Sequence, residues 1–361
     1  MELLNNIIFY FFAFIIVLSI IVFVHEFGHY YAAIRNKVKV EVFSIGFGRE
    51  IYGWYDKRGT RWRISLYPLG GYVKMLGEDL FSKSRISKKY LHFSFSEKKI
   101  YQRFIIVLAG PLANFIFGIL GYALIFTFIG ITYTPPIINQ VQSESPAAIA
   151  GLESGDKIIS INDKSIKDFN EIGTFLNVYK FKEFEFRIQR NDKILLKKIE
   201  PFKTTEDFYG QKREILKVGI SSFNSKLEKH NIIYSLYLGS QKTYEICSLT
   251  LKALSQMFKG RGSMDDLGGP VKIAQYSGIM LAQGFYSFIE LIILLSISIG
   301  LINLFPIPML DGGHLVMYMV EAINGKPLNK NIQESILKFG FIFIISLAII
   351  LTYNDIIGLL K

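Results

Sequence analysis

Cysteine is almost absent from this 361-residue sequence, which contains only Cys247. A single thiol cannot form an intramolecular disulfide, and it cannot supply the several thiolates of a structural zinc site. Charge is absent from a long segment near the N-terminus, from Ile7 to Val24. Half of all residues are apolar and 31 of them are Phe, a composition typical of a membrane protein rather than a soluble one.

Four apolar windows are long enough to cross a lipid bilayer. They cover residues 7–28, 104–130, 282–305 and 337–353, and each is close to the ~20 residues that a membrane-spanning helix needs. The first window lacks the basic leading residues and the small-residue cleavage site of a secretion signal. We therefore expect it to be retained as the first of about four transmembrane helices.

The distribution of basic residues predicts the orientation of these helices. Residues 30–103 contain 16 Lys and Arg against 6 Asp and Glu, whereas residues 131–280 contain 21 against 17. Because short loops rich in Lys and Arg stay in the cytoplasm, the first loop is predicted to be cytoplasmic. Both termini and the 131–280 segment then lie on the periplasmic side. The net charge of +11 thus reflects topology, and no recognised motif indicates nucleic-acid binding.

Two segments between the apolar windows have the pattern of β structure. In the first loop, residues 38–77 alternate apolar and polar side chains between glycines, which predicts β-hairpins close to the membrane. Residues 134–202 read as a small domain with strands on either side of a helix. Within that domain, the stretch AGLESGDKIISIND resembles the recurring turn-and-strand signature of PDZ domains, and only one copy is visible.

Three ionisable residues follow the charge-free segment directly. His25, Glu26 and His29 fit the pattern H-E-x-x-H. Residues four apart share one face of a helix, so both imidazoles can point at one ion while Glu26 lies beside them. In zinc hydrolases the metal acidifies a water molecule and the glutamate takes its proton. Because buried charges in a membrane helix are costly unless paired or ligated, we interpret these residues as functional.

A catalytic zinc ion needs a third protein ligand, and the remaining histidines and carboxylates are all candidates. His92 and His230 lie in polar sequence and are expected on the surface. Asp311 is the sole acidic residue between Glu290 and Glu321. It follows a helix-breaking stretch with two prolines and precedes two glycines, in the sequence NLFPIPMLDGG.

The predicted topology adds an independent reason to choose Asp311. The first and third helices run in the same direction, so Asp311 is predicted at a depth similar to that of His25 and His29. Broken helices at membrane depth are tolerated only where they are buried in protein or line a cavity. The two motifs are therefore expected to form one site.

The combination of H-E-x-x-H, N-x-x-P-x-P-x-L-D-G-G and an intervening PDZ-like domain resembles the site-2 proteases. These are zinc metalloproteases of family M50, and the similarity is greatest to the bacterial regulator-of-sigma-E protease type. The resemblance implies one zinc ion per chain, held by His25, His29 and Asp311, with Glu26 as the catalytic base. It also implies that Asn303 holds the substrate backbone.

The same resemblance implies a membrane-associated β-loop. We expect an exposed edge of this loop to bind an unwound substrate as an added strand, although a simple hairpin packed on the helices is an alternative. His314 is not expected to be a further ligand, because three are already assigned. The familiar enterobacterial member has two tandem PDZ domains, so gating schemes built on two do not transfer. The expected substrate-binding residues beside Asn303 are Gly71, Tyr72, Val73, Lys74 and Met75.

The expected fold is a polytopic α-helical membrane protein with a membrane-associated β-hairpin loop and an inserted β-rich PDZ-like domain. The expected domains are an N-terminal membrane core (1–130), the periplasmic PDZ-like domain (131–203), a periplasmic linker with interfacial helices (204–280) and a C-terminal membrane core (281–361).

The expected function is intramembrane cleavage of single-span membrane proteins during regulated intramembrane proteolysis, in a bacterial inner membrane. The active site would lie near the cytoplasmic side. The resemblance implies substrates already trimmed by another protease, such as anti-sigma factor-like proteins or remnant signal peptides. Two alternatives stay open: a membrane metallopeptidase acting on soluble or misfolded proteins, and a non-catalytic scaffold or chaperone that uses its PDZ-like domain.

Overall fold

The computed structural model describes residues 2–78, 87–208, 211–260 and 268–360. The chain divides into two compact units, residues 1–122 with 268–356 and residues 123–267 with 357–361. The helices are α1 (Glu2–Arg35), α2 (Ile100–Phe128), α3 (Pro146–Ile149), α4 (Asn170–Tyr179), α5 (Ile232–Phe258), α6 (Pro270–Gln283), α7 (Phe285–Asn303), α8 (Asp311–Asn324) and α9 (Lys330–Leu360). The strands are β1 (Val40–Tyr55), β2 (Arg61–Met75), β3 (Ile131–Tyr133), β4 (Gln140–Val141), β5 (Lys157–Ile161), β6 (Lys164–Ser165), β7 (Phe184–Arg190), β8 (Lys193–Ile199), β9 (Phe202–Phe208), β10 (Gln211–Lys217), β11 (Ile220–Ser221) and β12 (Lys226–Glu228).

Within the part of the chain that the structure describes, four helices are long and apolar enough to cross a membrane. They cover Asn6–Arg35, Ile100–Phe128, Phe285–Asn303 and Lys330–Gly358, and each coincides with one of the predicted apolar windows. Large apolar side chains on them are exposed, including Phe12 at 59% and Phe339 at 68%. An exposed apolar surface of this kind is expected where lipid replaces water as the surrounding solvent.

The predicted β-loop is a folded-over sheet made of β1 and β2. Residues 42–45 of β1 pair on one side with residues 71–74, in antiparallel register, and on the other side with residues 61–64, in the same direction. Residues 61–64 pair in turn with residues 52–55, in antiparallel register. Among the described residues, segment 71–75 pairs with no strand other than β1. Its Met75 N–H donates to the side chain of Glu78, at 3.1 Å from Oε2. The expected edge strand is therefore present. The loop's continuation at residues 79–86 lies outside the described residues.

The second unit has its own apolar core. The antiparallel sheet β6-β5-β7-β8 packs with α4 around fully buried side chains such as Ile158, Leu176 and Phe186. The hairpin of β7 and β8 turns at Asn191 and Asp192, both with positive φ, as a tight hairpin turn requires.

The sequence places the end of this domain at residue 203 and leaves residues 203–230 either to complete it or to link it onward. Val218 is buried in the same core, and Ile220 of β11 pairs with Val141 of β4. The domain therefore continues past residue 203. A pairing of two residues is too short to leave a period-2 pattern in the sequence.

The predicted segment 204–280 is also divided differently. α5 is a single 27-residue helix of the second unit, whereas α6 belongs to the first unit and packs on α1. A Cβ atom at Gly278 of α6 would lie 1.9 Å from the ring of Tyr10, so the contact requires a residue without a side chain. The second membrane core thus begins at about residue 268 rather than 281.

Candidate metal centre

The two histidines of the H-E-x-x-H motif lie one helical turn apart on α1. Their rings meet edge to face, with centroids 4.8 Å apart, and the two Nε2 atoms are 3.2 Å apart. Helical spacing alone brings them together, since residues four apart share one face. His29 is buried, at 8% exposure.

Asp311 comes to these histidines from the broken segment after α7. That helix ends at Asn303, and α8 begins at Asp311 itself. Asp311 Oδ2 lies 3.1 Å from His25 Nε2 and 3.5 Å from His29 Nε2. Tetrahedral ligands bound to zinc at ~2.0–2.1 Å are about 3.3 Å apart, so the three atoms have the separations of a zinc ligand set.

The ionisation of Asp311 also suits a metal ligand. Burial alone would raise the pKa of this carboxyl, but the neighbouring His25 and His29 outweigh burial and hold the pKa below its usual range. The buried Oδ2 atom has no hydrogen-bond donor among the described residues. A buried acceptor without a donor is costly unless something else satisfies it, and a metal ion would do so.

Helix α2 holds the ring of His29 from outside. His29 Nδ1 donates to the backbone carbonyl of Ile106 at 2.9 Å, which leaves the Nε2 lone pair free for a metal. The close approach depends on two glycines. A Cβ atom at Gly28 would lie 2.2 Å from the carbonyl oxygen of Ala109, and one at Gly110 would lie 2.2 Å from His29 Nε2.

A cavity of about 540 Å³ opens at these ligands. Glu26 and Asn303 line it beside the three candidate ligands. The structure thus brings the predicted catalytic base and the predicted asparagine to the same space as the ligand set.

The predicted substrate strand lies partly on this cavity. Tyr72, Val73 and Met75 line it. Gly71 lies next to the predicted base, because a Cβ atom there would lie 3.4 Å from Glu26 Cγ. The side chain of Lys74 instead pairs with Glu41 at 3.4 Å. Substrate binding by this segment remains a prediction.

Sequence reasoning missed an ion pair in the cavity wall. Arg103 of α2 donates to Glu321 of α8 at 2.6 Å, and its guanidinium lies 5.0 Å above the ring centre of Tyr318. The partners are 218 residues apart. The only sequence signal was a charged residue at the start of a membrane helix.

The remaining histidines are not ligands in this arrangement. Within the described part of the chain, His25, His29 and Asp311 form the one group whose ligand atoms converge as a metal site requires. His314 lines the cavity but is outside that group, and His92 and His230 are elsewhere. The donor set of two imidazoles and one carboxylate, with a fourth position left for water, is that of a catalytic zinc centre.

A sequence model of Peptidase family M50 matches residues 13–347. The chain belongs to peptidase family M50. Three curated relatives share the name "Putative zinc metalloprotease". The protein of Rickettsia conorii is 42% identical and covers 95% of this chain and 97% of its own length. The relatives from Agrobacterium fabrum and Rhizobium meliloti are 39% and 35% identical over 96% and 98% of this chain, and over 95% and 98% of their own lengths.

Membership of family M50 confirms the resemblance derived from the two motifs. It supports a metalloprotease whose relatives carry the name "Putative zinc metalloprotease", and the ligand geometry above fits zinc. The four apolar helices indicate a membrane protein. A solved PDZ domain of an SdrC-like protein from Listeria monocytogenes, 23% identical, covers 26% of this chain and 93% of its own length at a TM-score of 0.20. A likeness at that score carries no argument.

Proposed function

We propose that this protein is an intramembrane zinc metalloprotease that cleaves single-span membrane proteins within or near the bilayer. One observation carries the proposal. The candidate ligands and Glu26 lie on or beside a helix with an apolar, exposed surface, in a cavity bordered by the edge strand 71–75.

His25, His29 and Asp311 would hold the zinc ion. When bound, zinc lowers the pKa of water and polarises the scissile carbonyl. Glu26 accepts the proton of the attacking water and then delivers it to the leaving amide nitrogen. Its position beside the ligands, and next to the β2 backbone at Gly71, suits both transfers.

The outer edge of segment 71–75 presents the substrate. A peptide bond inside a membrane helix has its backbone groups hydrogen-bonded, so the substrate must unwind before attack. An extended substrate segment recovers those bonds by pairing with this edge, as in β-strand addition, and at Met75 it replaces the hydrogen bond to Glu78. Asn303, which lines the same cavity, holds the substrate backbone from α7.

The proposal includes a location and a class of partner. The protein lies in a bacterial inner membrane, with the active site near the cytoplasmic side and the PDZ-like domain and both termini in the periplasm. The orientation is supported by the first loop, residues 30–103, which contains 16 Lys and Arg against 6 Asp and Glu. Substrates are trimmed first by another protease, as anti-sigma factor-like proteins or signal-peptide remnants are, and the PDZ-like domain reads trimmed ends or excludes large ectodomains.

The test uses purified full-length protein in lipid vesicles with a single-span reporter, and in parallel a soluble peptide of the same scissile sequence. We expect Glu26→Gln to keep its zinc and to lose cleavage by about 10²–10⁴-fold, the usual contribution of a general base. Asp311→Ala should bind zinc weakly. Glu290→Gln is the matched control, because Glu290 is a carboxylate of membrane helix α7 that is not among the cavity-lining residues.

Three results would contradict the proposal. Unchanged cleavage by Glu26→Gln removes the catalytic role of the motif. Cleavage of the soluble peptide together with resistance of the membrane reporter would favour a metallopeptidase that acts on soluble proteins. Absence of all cleavage in a zinc-loaded wild type would favour the scaffold alternative.

A further inference from the structure

The outer nitrogen of His25 needs a hydrogen-bond acceptor if its inner nitrogen is to bind a metal. A neutral imidazole carries one proton, so a free Nε2 lone pair requires that Nδ1 be protonated. Metal-binding histidines almost always donate that Nδ1 proton to a nearby oxygen. For His29 the acceptor is the carbonyl of Ile106, 2.9 Å away.

The neighbour of His25 Nδ1 is the side-chain amide of Asn114. Its Nδ2 atom lies 3.3 Å from His25 Nδ1, and its Oδ1 atom is buried with no donor among the described residues. An amide nitrogen only donates. With that nitrogen toward His25, Nδ1 must be the acceptor and Nε2 must carry the proton, which prevents metal binding.

The opposite orientation of the same amide removes this conflict. The nitrogen and oxygen of a carboxamide occupy nearly the same space, so hydrogen bonding decides which one faces a neighbour. Turned by half a rotation, Asn114 presents Oδ1 to His25 Nδ1–H. The carbonyl oxygen then has a donor, and His25 Nε2 is free to bind.

We propose that Asn114 is a positioning residue of the metal centre, which accepts the Nδ1 proton of His25 and thereby fixes its tautomer and ring orientation. Helix α2 then supplies the outer acceptor for both histidines of α1, a backbone carbonyl for His29 and a side chain for His25.

The residues packed around Asn114 hold its side chain next to His25. Asn114 is fully buried, at 0% exposure. Helix α7 packs behind it, since Ser296 Oγ donates to the Asn114 carbonyl at 3.5 Å. A Cβ atom at Gly300 would come within 3.0 Å of Asn114 Cβ. The amide can turn about its own axis, but it has little room to move away from His25.

The test measures zinc binding rather than cleavage, because the inference rests on the zinc centre of the proposed function. Zinc affinity is determined by competition with a chromophoric chelator for wild type, Asn114→Leu and Asn114→Asp in detergent. Leucine keeps the volume without an acceptor, and aspartate keeps the acceptor. Ser296→Ala is the matched control, since it changes the packing behind Asn114 without touching His25.

We expect Asn114→Leu to lose about 10–100-fold in zinc affinity, the usual effect of removing such an outer partner. Asn114→Asp should bind zinc at least as tightly as wild type, and Ser296→Ala should be unchanged. Nitrogen NMR of histidine-labelled, zinc-free protein should show His25 protonated at Nδ1 in wild type and in Asn114→Asp. In Asn114→Leu it should show a mixture of tautomers.

Wild-type affinity in Asn114→Leu would overturn the inference, and so would an Asn114→Asp variant that binds zinc more weakly than wild type. If Asn114→Leu does not fold, Asn114→Asp decides alone, because tighter binding supports the role and weaker binding refutes it. Failure of wild type to bind zinc would refute the metal centre of the proposed function. If wild type binds zinc and is active, and Asn114→Leu binds zinc with wild-type affinity, only the role of Asn114 is refuted.

Discussion

Two buried carboxylates, one in each unit of the molecule, differ in their hydrogen bonding. In the second unit Asp156, at 1% exposure, is fully paired. Arg190 donates two bonds to it, at 2.7 and 2.8 Å, and the Glu153 amide donates a third at 2.9 Å. In the first unit the buried Oδ2 of Asp311 faces two imidazole nitrogens and has no donor among the described residues. The first arrangement stabilises a fold, and the second is suited to a ligand.

The apolar character of the first unit does not explain this difference. Asp355 of α9, also in the first unit, is completely buried and is paired. It accepts from the backbone amides of Gly269 and Lys272 at 3.2 and 3.0 Å, and its Oδ1 lies 3.7 Å from Lys272 Nζ. The unsatisfied carboxylate oxygen is therefore a property of the metal centre rather than of its surroundings.

The largest effect is expected for a variant that destabilises the second unit and leaves the metal centre unchanged. Asp156→Ala removes the buried acceptor of three hydrogen bonds, two of them from Arg190, and the loss of one hydrogen bond to a charged group costs about 1.5–3 kcal/mol. We expect the second unit to unfold at lower temperature and to become sensitive to protease, while zinc affinity stays at the wild-type value. Glu153→Ala is the control: its side chain is 65% exposed, so its loss should cost less than about 1 kcal/mol. A fall in zinc affinity in Asp156→Ala would show that zinc binding by the first unit depends on the folding of the second unit.

A smaller effect is expected at Gly110, where helix α2 comes close to the ring of His29. Gly110→Ala would place a methyl group 2.2 Å from His29 Nε2, and overpacking of this kind costs about 1–3 kcal/mol. Because the ring must move from its position, zinc affinity should fall about 10-fold. Isothermal titration with zinc measures this change. Wild-type affinity would mean that the contact between α1 and α2 does not position His29.

The smallest effect is expected for the matched change in the second unit. Gly173 lies in α4 and is exposed, and a Cβ atom added there would meet no other atom within 4 Å. Gly173→Ala should therefore raise the stability of the second unit by about 0.5–1 kcal/mol, because alanine loses less backbone entropy in a helix. Thermal unfolding measures it, and zinc affinity should not change. A destabilised variant would contradict the open surroundings of this position.

The sequence predicted the inner ligands of the site because each carried a local signal. His25, Glu26 and His29 share one helical turn, and Asp311 follows a proline-broken helix. The four apolar windows likewise predicted four helices, since length and hydropathy suffice for that.

The outer contacts left no such signal. Asn114 and His25 are 89 positions apart, and Asn114 sits among the small residues of an apolar helix, where only its three-dimensional neighbour gives it a role. The acceptor of His29 is a backbone carbonyl, which no residue type reveals. The part of the domain beyond residue 203 left little signal for a similar reason, because Ile220 pairs with Val141 in a two-residue strand.

X-ray absorption at the zinc edge, on purified wild-type protein, tests the central claim most directly. The account predicts one zinc ion per chain with only nitrogen and oxygen ligands at ~2.0–2.1 Å, including the scattering pattern of two imidazole rings. Because Asp311→Ala is expected to bind zinc weakly, this zinc signal should be lost in that variant. Absence of zinc, or a sulfur ligand at ~2.3 Å, would contradict a centre built from His25, His29 and Asp311.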